Sequence, residues 1–198
     1  MKKILFVVFL TVLYCKPKEV DYTKVSLYSK SNNLQAIVEI PAGTNHKIEY
    51  NKSTLTFEVD QRNGKDRIID FLPYLGNYGF IPSTFSDSKE GGDGDALDVL
   101  IISENLATGT VVEIIPIGML KLIDANELDY KIIAIPAKAN MQILTATNFN
   151  DFSTNYPKVK TIIEHWFTNY DNDDATFFEG WGNENDAIAE IEKWRVNN

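Results

Sequence analysis

Gly91-Gly92-Asp93-Gly94-Asp95-Ala96-Leu97-Asp98-Val99-Leu100-Ile101-Ile102 is the stretch around which the rest of this chain is organised. It places Asp93, Asp95 and Asp98 within six residues, with glycines before them and an unbroken apolar run after. Val99 to Ile102 reads as a buried strand, because a short apolar run beside a Gly-rich turn can hide both faces. Carboxylates crowded at the mouth of such a strand repel one another. A hard cation removes that repulsion, since oxygen ligands at short spacing suit Mg²⁺ or Ca²⁺. Asp with Gly ordinarily marks a solvated turn, and Asp-Gly is a common hairpin signal. The later ligand spacing and closing Glu of an EF-hand are absent. Taken alone, the cluster favours a turn or a loose cation site over a catalytic one.

The flanking sequence changes that balance. Upstream, Leu34 to Ile40 alternates apolar and polar residues as a half-buried strand does, and Pro41-Ala42-Gly43 ends it. Lys47-Ile48-Glu49-Tyr50-Asn51 alternates again and places Lys47 and Glu49 on one face. Leu55 to Asp60 is a further strand. A charged turn from Asp60 to Arg67 follows it, and then the apolar run Ile68 to Leu72. Pro73 to Pro82 interleaves Tyr74, Tyr78 and Phe80 with Gly and Pro, which predicts a fixed, irregular wall. Such tyrosines usually serve as core or rim packing.

Downstream, Val111 to Leu122 and Tyr130 to Pro136 are strand-like. The turn between them carries Asp124, Glu127 and Asp129, with Lys131 just beyond. Two acidic groups beside buried strands point to a shared site. Val159, Ile162, Ile163, Trp166 and Phe167 recur at helical spacing, so 159–169 is a core-facing helix on which His165 has a structural role. Ala187, Ile188, Ile191 and Trp194 repeat the pattern over 184–196, with Asn183 or Asn185 as the cap. Strands first and helices last predict an α+β fold, a curved sheet or barrel flanked by terminal helices.

The chain has 198 residues, enough for one domain with a substantial core. Its 28 acidic and 19 basic side chains leave a formal charge of -9. That argues against a non-specific nucleic-acid binder, whose affinity rests on Lys and Arg neutralising phosphates. A phosphate substrate is still allowed, because bound divalent metals reverse the local field.

Residues 1–15 read as a signal peptide: Lys2 and Lys3 precede an apolar run from Ile4 to Tyr14 that is too short for an ordinary membrane span. Cys15, the only cysteine, stands where a bacterial lipoprotein signal carries its lipidated residue, although Tyr14 is bulkier than such signals usually have. A cleavable secretion signal or a buried amino-terminal helix is the alternative. The expectation is an exported protein, lipid-anchored in the bacterial cell envelope or otherwise periplasmic, touching the membrane only through its anchor. A mature domain without cysteine has no disulfide and rests on its core. Residues 16–33 are polar and read as a tether, leaving 34–198 as the domain.

These pieces resemble the family I soluble inorganic pyrophosphatases from about Val38 to Trp194. Asp93-Gly94-Asp95-Ala96-Leu97-Asp98-Val99 is similar to that family's Asp-rich signature, with Ala where Pro or Glu is usual. Val38 to Ala42, Lys47 to Tyr50, Asn77-Tyr78-Gly79-Phe80, Asp124 to Lys131 and Glu179-Gly180-Trp181 match in the expected order. The resemblance implies a small OB-like β-barrel with flanking C-terminal helices. It also implies Mg²⁺-dependent hydrolysis of pyrophosphate by a metal-activated water, a chemistry carried mostly by positioning and metal charge.

By that resemblance Asp93, Asp98 and Asp129 hold the first Mg²⁺, Asp98 being shared toward a second, and Asp124 joins for metals that arrive with substrate. Asp95 stands where the family has its general base, and Tyr78 orients the base or nucleophile. Glu39 and Glu49 act mainly through metal-bound waters. Lys47, Arg67, Lys131 and Tyr170 grip phosphate oxygens, with Arg67 preferred over Arg62 or Lys65. Several Mg²⁺ ions are expected, with Mn²⁺ able to take the same oxygen ligands. A homo-oligomer is allowed, since family members form different assemblies.

Three departures from the family pattern stand out. Ala125 follows Asp124 where Glu is frequent, the segment before Tyr78 is longer and more charged, and Asp171 replaces a phosphate-binding Lys. A carboxylate there is expected to repel phosphate oxygens and to weaken binding by about one to two orders of magnitude. Two other readings compete on that account. One is an exported cation- or phosphate-binding lipoprotein with weak turnover. The other is a hydrolase of a related polyphosphate or nucleotide.

Overall fold

The structure is a computed structural model and describes residues 20–171 and 176–196. The expected signal peptide and the first residues of the expected tether lie outside the described residues. From Val20 onward the chain packs on the domain: Leu27 is buried, and the Tyr22 hydroxyl donates to the Gly109 carbonyl at 2.9 Å. Tyr22 also packs edge-on against Tyr50 and Phe57. Residues 20–33 therefore belong to the folded unit and are not a loose tether.

In chain order the strands are β1 (Leu34–Ile40), β2 (Ile48–Asn51), β3 (Thr56–Val59), β4 (Gln61–Arg62), β5 (Lys65–Asp66), β6 (Asn77–Phe80), β7 (Asp98–Ile101), β8 (Val111–Asp124), β9 (Glu127–Leu128) and β10 (Lys131–Pro136). Helices α1 (Phe149–Asn155) and α2 (Pro157–Phe167) come next, then β11 (Phe177–Gly182) and α3 (Glu184–Lys193). The main sheet runs β1-β6-β7-β10-β8-β11, and β8 also returns to pair with β1, which bends the sheet into a barrel-like arrangement. β2 with β3 and β4 with β5 form separate hairpins beside it. Among the described residues no helix is long and apolar enough to cross a membrane.

The unbroken apolar runs become strands buried on both faces, as expected. Leu100, Ile133 and Ile135 face one core with Phe152, Ile163, Trp166 and Phe167 of α1 and α2. Val99, Ile101, Ile132 and Ala134 face the other, with Ala187 and Ile191 of α3. Each fully buried Ile contributes about 1.5–3 kcal/mol, which holds β7 and β10 at the centre of the sheet.

Two elements depart from the strands-then-helices order. Strand β11 lies between α2 and α3 in sequence and pairs with the far edge of β8. The short helix α1 was also not anticipated; the Asn148 side chain caps it by accepting from the Asp151 N–H. Asn183, one of the two expected caps, closes α3 in a reciprocal capping box with Asp186.

Close approaches fix the strand ends. A Cβ on Gly79 would lie 1.9 Å from the Ile37 carbonyl, so β6 can reach β1 only with glycine there. Fully buried Asn77 accepts from the N–H groups of Ala42 and Leu106 and donates to Ser103 Oγ and the Glu104 carbonyl. All of its hydrogen-bonding capacity is thus met, and the loops after β1 and β7 are tied to the wall beneath the cleft.

Candidate active site

The cleft opens where β7 and β10 begin. These neighbours are parallel, with Lys131 opposite Asp98, so both runs present their first side chain at the same end of the sheet. Period-two alternation then puts Asp129 on the side of Lys131. Across the β6–β7 pair Tyr78 faces Leu100 while Phe80 faces Asp98. Tyr78 is thus the diagonal neighbour of Asp98, and its hydroxyl donates to Asp98 Oδ2 at 2.5 Å.

Carboxylate oxygens of Asp93, Asp98 and Asp129 lie within 4.8 Å of one another. The turn that delivers Asp93 needs Gly94 at φ +83° and is closed by the Asp95 N–H donating to Asp93 Oδ1 at 3.0 Å. The second acidic turn is tight. Asp124 pairs with Glu127 across a two-residue loop, Ala125-Asn126, with both residues at positive φ, the conformation of a type I′ hairpin. Ala125 therefore supplies no carboxylate but leaves the turn ordered.

Lys131 Nζ bridges Asp98 and Asp129, and the residue is 3% exposed. Burial works against its charge, and Asp129 and Asp98 outweigh that, leaving its pKa above the usual lysine range. Burial is likewise the main cause that pushes Glu39 up to about 8; Asp98 and Glu49 add to it, and the Tyr50 N–H donating at 2.7 Å opposes. Asp93 is exposed as a residue, yet desolvation of its carboxyl inside the cleft, with Asp98 adding, raises it to about 6. Three aspartates gathered this closely, with only oxygen donors among them, form a set that a hard divalent cation fits.

The cleft, of about 240 Å³, is also lined by Lys47, Arg62, Arg67 and Tyr170. Lys47 pairs with Glu49, its same-face neighbour. Burial raises the Tyr170 hydroxyl to about 12, and its ring lies flat against Trp166, 4.7 Å between centroids. Asp124 lines the cleft and accepts weakly from Thr176 at 3.4 Å. Asp95 sits on the exposed rim, paired with Lys52 at 2.6 Å.

The residues to which the resemblance assigns metal, catalytic or substrate roles thus line one cleft. The structure adds Tyr74 to the wall, buried against Tyr78 and Trp166 and with its hydroxyl raised by burial; its place in the aromatic run was the available signal. It also adds Arg62, which is not an alternative to Arg67 but stands with it. The sequence suggests that Asp171 presents an uncompensated negative charge to the substrate; the structure corrects this, because the carboxylate is paired with two arginines. Arg62 reaches it with two N–H groups and Arg67 with one.

The family model described as inorganic pyrophosphatase matches residues 36–197. The chain is 36% identical over 169 residues to an inorganic pyrophosphatase of Neisseria meningitidis serogroup B, covering 81% of this chain and 88% of that protein. It is 32% identical over 166 residues to one of Saccharolobus solfataricus, covering 82% and 90%. Among solved structures it is similar to an inorganic pyrophosphatase of Neisseria gonorrhoeae, with a TM-score of 0.72 at 32% identity over 88% of this chain and 96% of that one. The Thermus thermophilus inorganic pyrophosphatase superposes with a TM-score of 0.75 at 25% identity, covering 88% and 97%.

Proposed function

From the premise that the chain belongs to the inorganic pyrophosphatase family, we propose that it hydrolyses pyrophosphate to two phosphates in this cleft with Mg²⁺ as its ion. It is an inorganic diphosphatase, a metal-dependent hydrolase. The observation that carries the residue-level reading is the cleft's polarity. Asp93, Asp98 and Asp129 cluster in it, and Lys47, Arg62 and Arg67 line the same cleft. That arrangement suits a polyanion held between bound cations and fixed ones.

Asp93, Asp98 and Asp129 would hold the first ion, with Asp124 and Glu39 beside them; Mn²⁺ suits the same donors. When bound, such ions neutralise phosphate charge and make water acidic enough to attack near neutral pH. Lys47, Arg67, Lys131 and Tyr170 bind phosphate oxygens and set the substrate in line. Glu49 steadies Lys47. Tyr78 holds Asp98 in one orientation through its hydroxyl. Asp95 takes the proton of the attacking water, its exposed pairing with Lys52 being weak enough to yield. One P–O bond forms, the bond to the bridging oxygen breaks, and two phosphates leave.

The ring of pairings from β1 through β6, β7, β10 and β8 back to β1 supports an OB-like description of the sheet. Export and lipid anchoring at Cys15 are part of the same proposal. They are supported by the lysines and the short apolar run that precede that cysteine.

Phosphate release from pyrophosphate, compared with release from nucleoside triphosphates and polyphosphate under the same Mg²⁺, tests the substrate. Preference for pyrophosphate is expected; faster release from either other substrate would replace it.

A further inference from the structure

Two neighbouring arginines, Arg62 and Arg67, meet an aspartate more than a hundred residues away, Asp171, beside the cleft. Arg62 Nη1 and Nη2 donate to Asp171 Oδ1 and Oδ2 at 3.1 and 2.9 Å, a two-pronged contact across 109 residues. Arg67 Nη2 donates to the same Oδ2, and its Nη1 lies 3.4 Å from Asp60 Oδ2. The side chains of Arg62, Arg67 and Asp171 are only 33%, 16% and 11% exposed.

Two guanidiniums that meet on one carboxylate oxygen repel each other. A carboxylate that takes a fork from one arginine and a further N–H from the other cancels that repulsion and fixes both planes. Both arginines line the cleft while they contact Asp171, so the carboxylate holds them where a phosphate would meet them.

The geometry points to Asp171 as a positioning residue that gathers Arg62 and Arg67 at the cleft, and to Arg62 as a second substrate-binding guanidinium beside Arg67. The inference rests on the pyrophosphatase reading. It reverses the sign expected for Asp171 from charge alone: removing the carboxylate weakens substrate binding instead of strengthening it.

Steady-state kinetics on Asp171→Asn, Arg62→Gln, Arg62→Lys and the double variant Arg62→Gln/Asp171→Asn test it, with thermal midpoints recorded for each. Asp171→Asn is expected to raise KM for pyrophosphate about tenfold and to change kcat less. Arg62→Gln is expected to raise KM about ten- to a hundredfold, the range of a lost charge-assisted contact, with Arg62→Lys recovering part of it. Because Asp171 acts partly through Arg62, the double variant should show less than the product of the two single effects. Asp171→Asn that lowers KM or leaves it unchanged overturns the positioning role. Arg62→Gln with an unchanged KM and a lowered midpoint makes Arg62 merely structural and overturns its part. A wild-type chain that releases no phosphate from pyrophosphate overturns the enzymatic reading itself, a result separable from either variant outcome.

Discussion

The Tyr78 hydroxyl donates to Asp98 Oδ2 at 2.5 Å from the adjacent strand, so the carboxylate at the centre of the acidic floor is oriented by a buried phenol. Burial, with Asp98 adding, holds that phenol well above its ordinary pKa, and it remains a donor throughout the working range.

Tyr78→Phe removes this hydrogen bond and keeps the ring packed on Tyr74 and Phe167, 5.2 and 5.9 Å between centroids. A hydrogen bond to a charged acceptor is worth roughly 1.5–3 kcal/mol. kcat/KM should therefore fall about ten- to a hundredfold while the fold persists. Unchanged kinetics would remove Tyr78 from the site.

Asp98→Asn should abolish most activity and raise the metal concentration required. From sequence alone, loss of a repulsive carboxylate suggests a more stable protein. The structure reverses that, because Asp98 is one of two partners of the buried Lys131 ammonium. Weakening it should destabilise the metal-free protein by about 1–3 kcal/mol, lowering its midpoint by roughly 2–4 °C per kcal/mol. Calorimetry without metal decides the sign.

The raised carboxyls predict how stability follows pH. Glu39 and Asp93, at about 8 and about 6, bind protons more tightly folded than unfolded. Their contribution is fully present below the unfolded values and is lost as pH rises through about 6 and then about 8. The metal-free midpoint should therefore fall over that window. Mg²⁺ competes with those protons, so the stabilisation it confers should grow across the same window. Midpoints with and without Mg²⁺ from about pH 5 to about pH 9 measure both trends; a metal-free midpoint that rises with pH contradicts them.

Expression with the full leader should give a membrane-associated product modified at Cys15. Firm attachment requires more than one acyl chain. Mass spectrometry that finds unmodified Cys15, or a mature chain beginning elsewhere, would remove the anchor.

Much of the fold was legible because its signals are local. β1 begins and ends where the alternation from Leu34 to Ile40 does, and the both-faces burial of Val99 to Ile101 follows from an unbroken apolar run. β11 was not legible: Glu179 and Gly180 separate Phe177 and Phe178 from Trp181, and the strand exists because β8 extends far enough to pair with it. Helix α1 is seven residues of mostly poor helix formers, dependent on its cap and on buried Phe152. The acidic floor could be found from motif order, since parallel pairing of β7 with β10 turns two separate runs into one site. The grouping of Arg62, Arg67 and Asp171 could not, because pairing across more than a hundred residues leaves no local pattern and charge alone suggests repulsion.

Phosphate release from pyrophosphate, measured with Mg²⁺, after chelation and after Mg²⁺ is restored, tests the central claim most directly. The account predicts two phosphates per pyrophosphate, loss of release on chelation and its recovery with the ion. A folded protein that binds divalent cations yet releases no phosphate under any of these conditions would contradict it.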